Sequence, residues 1–424
     1  MEQRNTAIMT KEFVILLRWL VKACGVMCWL FVTGWTTGSQ SRGPCCEPLW
    51  TTQLAKSYES PNLGERLTNK TLLHHHENAG VAFLDSARLI AYGVESTGQL
   101  SSRANTDVSS AFRLHAVLFD ASSGKLAFTK DWGTRPRGSS IQVTEGGVLI
   151  RVGDQMKFCS KSLEELHRSD LRDTGSSDSW AIRVSPTGKT IMVSHSDRYE
   201  RYFEVRDGQT FEVKRSWSDT PPFRHNLYSV SDGAIAAADL NQERILLSDF
   251  GSKRWEALKV RFKIGCVGSP TFVSETLLIN ASCKKLSLLS TTGETLMEES
   301  FEKNESVDGQ EATVAKSARI IAVSLERGKG GGIFDTDVRR TGNRIALYDL
   351  VLRKRVLTVD VVPMPTREYD FALSPDGSKL AILNDRNVSV YSVPVQSPEH
   401  TETVNPKDET LHVQIPVPQV RAKQ

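Results

Sequence analysis

From about residue 80 the hydrophobic positions fall in short runs, either alternating or wholly apolar, separated by Gly, Pro, Asp, Asn and Ser. Alternation predicts strands with one buried face, and apolar runs of this length predict strands buried on both faces. Almost nowhere does the 3.6-residue spacing of a helix appear. The clearest unit is Phe371-Ala-Leu-Ser-Pro-Asp-Gly-Ser-Lys-Leu-Ala-Ile-Leu383. Proline presets φ for the turn while Asp and Gly accept its tighter end, so the flanking runs must pair as a hairpin. The unit recurs at Ile182-Arg-Val-Ser-Pro-Thr-Gly-Lys-Thr-Ile-Met-Val193, and weaker copies begin near Val81, Ile141, Leu227, Thr271 and Ala312. Successive starts are spaced by 41–45 residues, apart from two intervals of 59–60 residues. Four short strands every 40–45 residues is the spacing of a β-propeller blade. Within the unit, a third strand ends in aspartate at Asp120, Asp207, Asp249 and Asp349. An Asp there can accept hydrogen bonds from the backbone of the turn that leads outward. Fourth strands are predicted at 125–130, 211–217, 255–260 and 356–362.

With Ser374-Pro-Asp-Gly-Ser378, Ser185-Pro-Thr-Gly-Lys189 and these terminal aspartates, residues 80–395 resemble the WD40-like and YVTN-like β-propellers, especially exported bacterial members of unknown function. The Trp-Asp and Gly-His pairs of the standard WD40 repeat are missing, so the resemblance implies a fold and not a partner-binding face. Seven starts imply an all-β, seven-bladed propeller of four-stranded antiparallel blades. The last unit has only three strands before the chain turns polar, so ring closure calls for a fourth strand from the other end of the chain. Residues 49–54 are the candidate; a loosely attached amino-terminal segment is the alternative.

Loops between the second and third strands share one face of such a ring with the connections that lead into each blade. The two long intervals place insertions at 94–110 and 327–343, in blades one and six, so both should rise from that face and meet over blade seven. Residues on the connections into the blades, Arg224, His225, Arg367 and Tyr369, are the candidate ligand-binding positions. Cys266 and Cys283 map to the same face, where they either form a disulfide or remain two thiols.

Charge sharpens the picture at the amino terminus. The chain has 53 Lys plus Arg against 50 Asp plus Glu over 424 residues. Residues 1–22 supply two of its three net positive charges. What remains is nearly neutral, too little to follow a phosphate backbone, so nucleic acid is excluded as the expected partner. Arg4, Lys11, Arg18 and Lys22 precede an uncharged run from Ala23 to Trp35 and then small residues, the pattern of a secretory signal over residues 1–38. An uncleaved membrane anchor starting at Phe13 is the alternative. The organisation expected is therefore a signal (1–38), a segment with the closing strand (39–79), the propeller (80–395) and a Pro-containing polar tail (396–424), in a monomer exported to the periplasm or beyond the cell. Outside the signal five cysteines remain, an odd number, so at least one is free or pairs between chains.

Catalytic motifs are sparse. Gly328-Lys-Gly-Gly-Gly332 lacks the Gly-Lys-Ser/Thr ending of a phosphate loop, and no Gly-x-Ser-x-Gly nucleophile is present. His74, His75, His76, His195 and His225 map to the loop face, but consecutive histidines cannot converge on one ion. No metal, cofactor or catalytic residue is expected. The expected function is a non-catalytic binding module or scaffold for a protein, peptide or glycan. The alternative is a propeller enzyme with a metal or cofactor at the channel mouth, such as a lactonase-like hydrolase or quinoprotein-like dehydrogenase.

Overall fold

The computed structural model describes residues 47–54, 79–96, 112–134, 139–153, 155–171, 180–196, 201–219, 228–250, 254–260, 262, 268–282, 284–302, 304–317, 319–329, 339–362, 369–384 and 387–394. They form seven four-stranded antiparallel sheets, which are the blades of a β-propeller: 79–134, 139–170, 180–219, 228–257, 270–300, 305–361 and 369–392. The fourth strand of blade 7 is Trp50–Gln53, paired with the third strand so that Trp50 faces Val390 and Gln53 faces Asn387. Among the described residues no helix is long and apolar enough to cross a membrane. The expected signal or anchor and the polar tail lie outside them.

The position of each strand in its blade follows from its pattern. Val148–Val152, a middle strand, is apolar but for Arg151 and buried throughout, because each of its faces meets a neighbouring strand layer. Glu165–Asp170, at the rim of the same blade, is polar but for Leu166 and almost wholly exposed. Apolar side chains from adjacent blades interdigitate. Ile90, Leu114 and Trp132 of blade 1 pack with Ile141 and Ile150 of blade 2, and Leu383, Val388 and Val390 of blade 7 pack with Val81 and Leu89 of blade 1. Each fully buried Leu or Ile contributes about 2 kcal/mol.

One end of the ring carries the turns between first and second and between third and fourth strands. The Ser-Pro-x-Gly signature builds the first kind. Ser374 Oγ accepts from Lys379 N (2.9 Å) and donates to Asp376, and Gly377 N donates to Ser374 O (2.8 Å). Gly188 has φ +79°, and a Cβ there would lie 2.6 Å from Glu145 N, so this glycine serves both the turn and the packing of blade 3 against blade 2.

The second kind bears out the aspartate signal at three of its four positions. Asp120, Asp207 and Asp349 each accept from two backbone N–H groups of the turn. Asp249 is followed by 251–253, outside the described residues. In blades 2 and 5 a serine does the same work, Ser160 accepting from Ser162 and Glu164, and Ser290 from Glu294. In these five turns a residue near the end sits in the left-handed region: Gly124, Leu163, Phe211, Gly293 and Arg353. A bulge in the strand pair accompanies each. Phe211 is held there by burial, stacked on Phe158 with centroids 5.5 Å apart.

Hydrogen bonds sew this turn face together from blade to blade. Arg88 Nη1 reaches Lys161 O (3.1 Å), Glu145 N reaches Gly188 O (2.8 Å), and Thr187 Oγ1 reaches Asp232 (2.8 Å). Asp232 N donates to Glu275 (2.7 Å), Ser317 N to Pro375 O (2.9 Å) and Lys379 Nζ to Ser86 O (2.9 Å). Both ends of the ring's chain also lie here. The closing strand begins at the turn face with Trp50, and the third strand of blade 7 ends there at Ser392.

The turn carboxylates predict the acid response. Hydrogen bonds from Lys214 and Thr210 hold Asp207 down at about 2; at Asp376 burial works against the charge, but bonds from Ser374 and Ser378 bring it to about 2 as well. A depressed folded pKa adds stability that is fully present above the ordinary value of 3.8 and is lost as pH falls toward 2. Tm should therefore fall steeply between those values, and Asp207→Asn with Asp376→Asn should flatten the fall, measured by calorimetry across that range.

Two expectations are corrected. Blade 6 begins at Glu305 rather than near Ala312, because a bulge between Val307 and Ala312 interrupts its inner strand and breaks the apolar pattern. The insertions are narrower than 94–110 and 327–343, since backbone pairing continues to Ser96 opposite Phe112 and to Lys329 opposite Arg339. Where their remaining residues meet lies outside the described residues.

Candidate binding face

The face opposite the turns receives the connections into the blades and the loops between second and third strands. Arg224, His225, Arg367, Cys266 and Cys283 are outside the described residues. Of Tyr369 the backbone is placed, opening the inner strand of blade 7 opposite Asn384. Cys159, the free cysteine among the described residues, is buried in blade 2, and burial, with Glu165 nearby, pushes its thiol up to about 11. It belongs to the core rather than to a site.

The polar cluster best built on this face lies where blade 3 meets blade 4. Tyr228 opens the inner strand of blade 4 and is almost fully buried. Its hydroxyl shares a 2.5 Å hydrogen bond with Ser194, at the loop end of the second strand of blade 3. Arg183 and Arg201 of blade 3 place their guanidinium carbons 5.4 and 5.8 Å from the centre of its ring. Within about 6 Å a cation is drawn to an aromatic face, so one ring steadies two positive charges. Arg183 is further fixed by Nε to Tyr228 O (3.3 Å) and Nη1 to Ile182 O (3.0 Å). Burial pushes the Arg201 guanidinium below its ordinary range; Tyr228 opposes this and the Arg183 charge adds to it. His195, next to Ser194 and buried, packs edge-on against Tyr202 at 4.7 Å. Tyr202 is 44% exposed and Leu240, on the loop-face turn of blade 4, 41% exposed. A large aromatic and an apolar residue thus stand in solvent at this end of the ring. These groups stack and donate hydrogen bonds, which is recognition chemistry.

Sequence reading did not find this cluster. Arg183, Arg201 and Tyr228 are spread over 46 residues and come together only through blade packing, and Arg183 sits inside the Ile182–Val193 hairpin, where it reads as a turn-flanking strand residue. The nearest signal was Arg224-His225, three residues before Tyr228.

A second charged cluster underlies the loop face of blade 6. Glu305 is fully buried and Arg344 Nη1 lies 3.0 Å from it, with Arg327 and Arg355 at 3.8 Å. Arg344 also pairs with Asp360 (2.5 Å), Arg327 with Glu302 (3.3 Å) and Arg355 with Glu299 of blade 5 (3.3 Å). Burial works against the Arg344 charge, but the bonds to Asp360 and Glu305 outweigh it and hold the group above its ordinary range. Among the described residues no group of three or more His, Cys, Asp and Glu is arranged to hold a metal.

No protein-family model matches the chain, and no curated protein matches it in sequence. Among solved structures it is similar to the WD40 domain of Pan2 from Neurospora crassa, with 14% identity, a TM-score of 0.48, and coverage of 82% of this chain and 96% of that one. It is also similar to a chain of the mitotic checkpoint complex, with 10% identity, a TM-score of 0.47 and the same coverage.

Proposed function

We propose that the chain is an exported, non-catalytic interaction module that holds a protein partner on its loop-bearing face. The observation that carries this reading is the asymmetry of the ring. The turn face is tied down by short, internally hydrogen-bonded turns, whereas the other face carries the Arg183–Tyr228–Arg201 stack and, apart from it, the exposed Tyr202 and Leu240. Exposed aromatic and aliphatic side chains on a rigid scaffold are the usual makings of a binding hot spot. Export rests on the basic head and apolar run before residue 38. It is tested by sequencing the amino terminus of the secreted chain: a start beyond residue 38 supports cleavage.

Binding is tested by capturing partners from the source extract on full-length chain and on two pairs of variants. Tyr202→Ala with Leu240→Glu is expected to lower partner recovery by about tenfold or more. Val351→Glu with Leu352→Glu alters side chains that are 69% and 36% exposed on the turn face and is expected to leave recovery unchanged. The reverse pattern would overturn the assignment of faces.

A further inference from the structure

The chain holds four Asn-x-Ser/Thr triplets, beginning at Asn69, Asn280, Asn304 and Asn387. In an exported protein such a triplet accepts an N-linked glycan, a bulky and hydrated group that only a surface position accommodates. The fold therefore discriminates among the four. Asn69 lies outside the described residues. Asn280, in the second strand of blade 5, is 1% exposed, and its Oδ1 accepts from Gly268 N (3.1 Å). A sugar on that amide would have to displace packed core. Asn387 opens the third strand of blade 7, half-buried, with its backbone paired to Asn384 on one side and Gln53 on the other.

Asn304 differs on each count. It lies on the connection from the outer strand of blade 5, which ends at Ser300, to the inner strand of blade 6, which starts at Glu305. That places it on the loop face, and its side chain is exposed. A tight turn presents it: Glu305 N donates to Glu302 O (2.9 Å), and Glu302 N donates back to the Glu305 carboxylate (3.2 Å). The middle residue of the triplet, Glu305, is fully buried against Arg344 (3.0 Å) and pins the end of the turn. Ser306, the third, sits in the inner strand opposite Glu326. The core thus holds Glu305 while Asn304 faces water, so a group added to its amide leaves the ion pairs beneath intact.

We propose that Asn304 carries an N-linked glycan on the loop face. Its Nδ2 forms a bond to the anomeric carbon of an oligosaccharide delivered on a lipid diphosphate. The bond from that carbon to the diphosphate oxygen breaks, and the lipid diphosphate leaves with the electron pair and takes up one amide proton. The inference rests on the reading of the chain as exported and assigns it a modification that export makes available.

The test expresses the full chain in a secreting eukaryotic cell line and collects medium and cells separately. Each fraction is treated with a peptide N-glycosidase, which releases the glycan and leaves Asp where the modified Asn stood. Secreted chain is expected to gain gel mobility on treatment, and its peptide spanning residue 304 to show that Asn-to-Asp change in mass. Asn304→Gln and Ser306→Ala should each remove one mobility step, while Ser306→Thr and Asn387→Gln should keep it. The wild-type peptide decides the point even where a variant is not secreted. Secreted chain with Asn304 unmodified, or with glycan on Asn280 or Asn387 instead, would overturn the site and leave export standing. Chain kept in the cytosol with Asn304 unmodified would overturn both readings. The amino-terminal residue of the same sample, beyond 38 or not, tells these failures apart.

Discussion

A chain that begins at residue 55 is expected to lose the sharp, single unfolding transition of the full protein, whereas one that begins at Leu49 keeps it. The closing strand supplies four rungs of backbone pairing to an otherwise open edge of blade 7. It also brings Trp50, which donates from Nε1 to Ala121 O (3.1 Å) and packs 5.9 Å from the Phe119 ring, both in blade 1. Without the strand, blade 7 presents unpaired backbone groups and the seam between blades 7 and 1 loses its outer cover. Trp50→Ala isolates the side-chain part and should cost about 3 kcal/mol, near the low end for a large aromatic because the residue is half-buried. Calorimetry and urea denaturation of the two truncations read the result. Coincident transitions would mean that the ring closes by its six complete blades alone.

Glu305→Ala should be the most damaging single substitution in blade 6, at about 3–5 kcal/mol, the range for removing one member of a buried ion pair. The carboxylate is fully buried and accepts from Glu302 N (3.2 Å) as well as facing three guanidinium groups. Its removal leaves those charges with acids that lie nearer to solvent. Asp360→Ala makes a useful contrast: its side chain is 54% exposed and pairs with the same Arg344, so it should cost under about 1 kcal/mol. Urea denaturation of both variants gives the comparison. Equal losses would show that water screens Glu305 as well as it screens Asp360.

Much of this architecture was legible because propeller turns need particular residues. Pro-Asp-Gly and Pro-Thr-Gly mark the inner hairpins, where φ and close packing between blades restrict the choice. Asp120, Asp207 and Asp349 mark turns where a carboxylate can meet two N–H groups at once. The same job done by Ser160 and Ser290 left no signal, since serine is common and its caps look like any other loop residue. Leu163, Phe211 and Arg353 adopt left-handed backbone that their side chains do not advertise, the first two because the core holds them there. The closing strand was visible through a deficit, a last blade one strand short. The Arg183–Tyr228–Arg201 stack was not, because local pattern says nothing about which blade ends touch. Arg224, His225, Arg367 and Tyr369 were chosen from the connections into the blades, and of these only the backbone of Tyr369 lies among the described residues.

Because the closing strand starts, and the last blade ends, on the sewn side of the ring, the propeller itself can be held at either of these two points. A sensor chip, resin or fluorescent fusion joined directly after residue 394 grips the ring from behind and leaves its opposite surface open to whatever diffuses past.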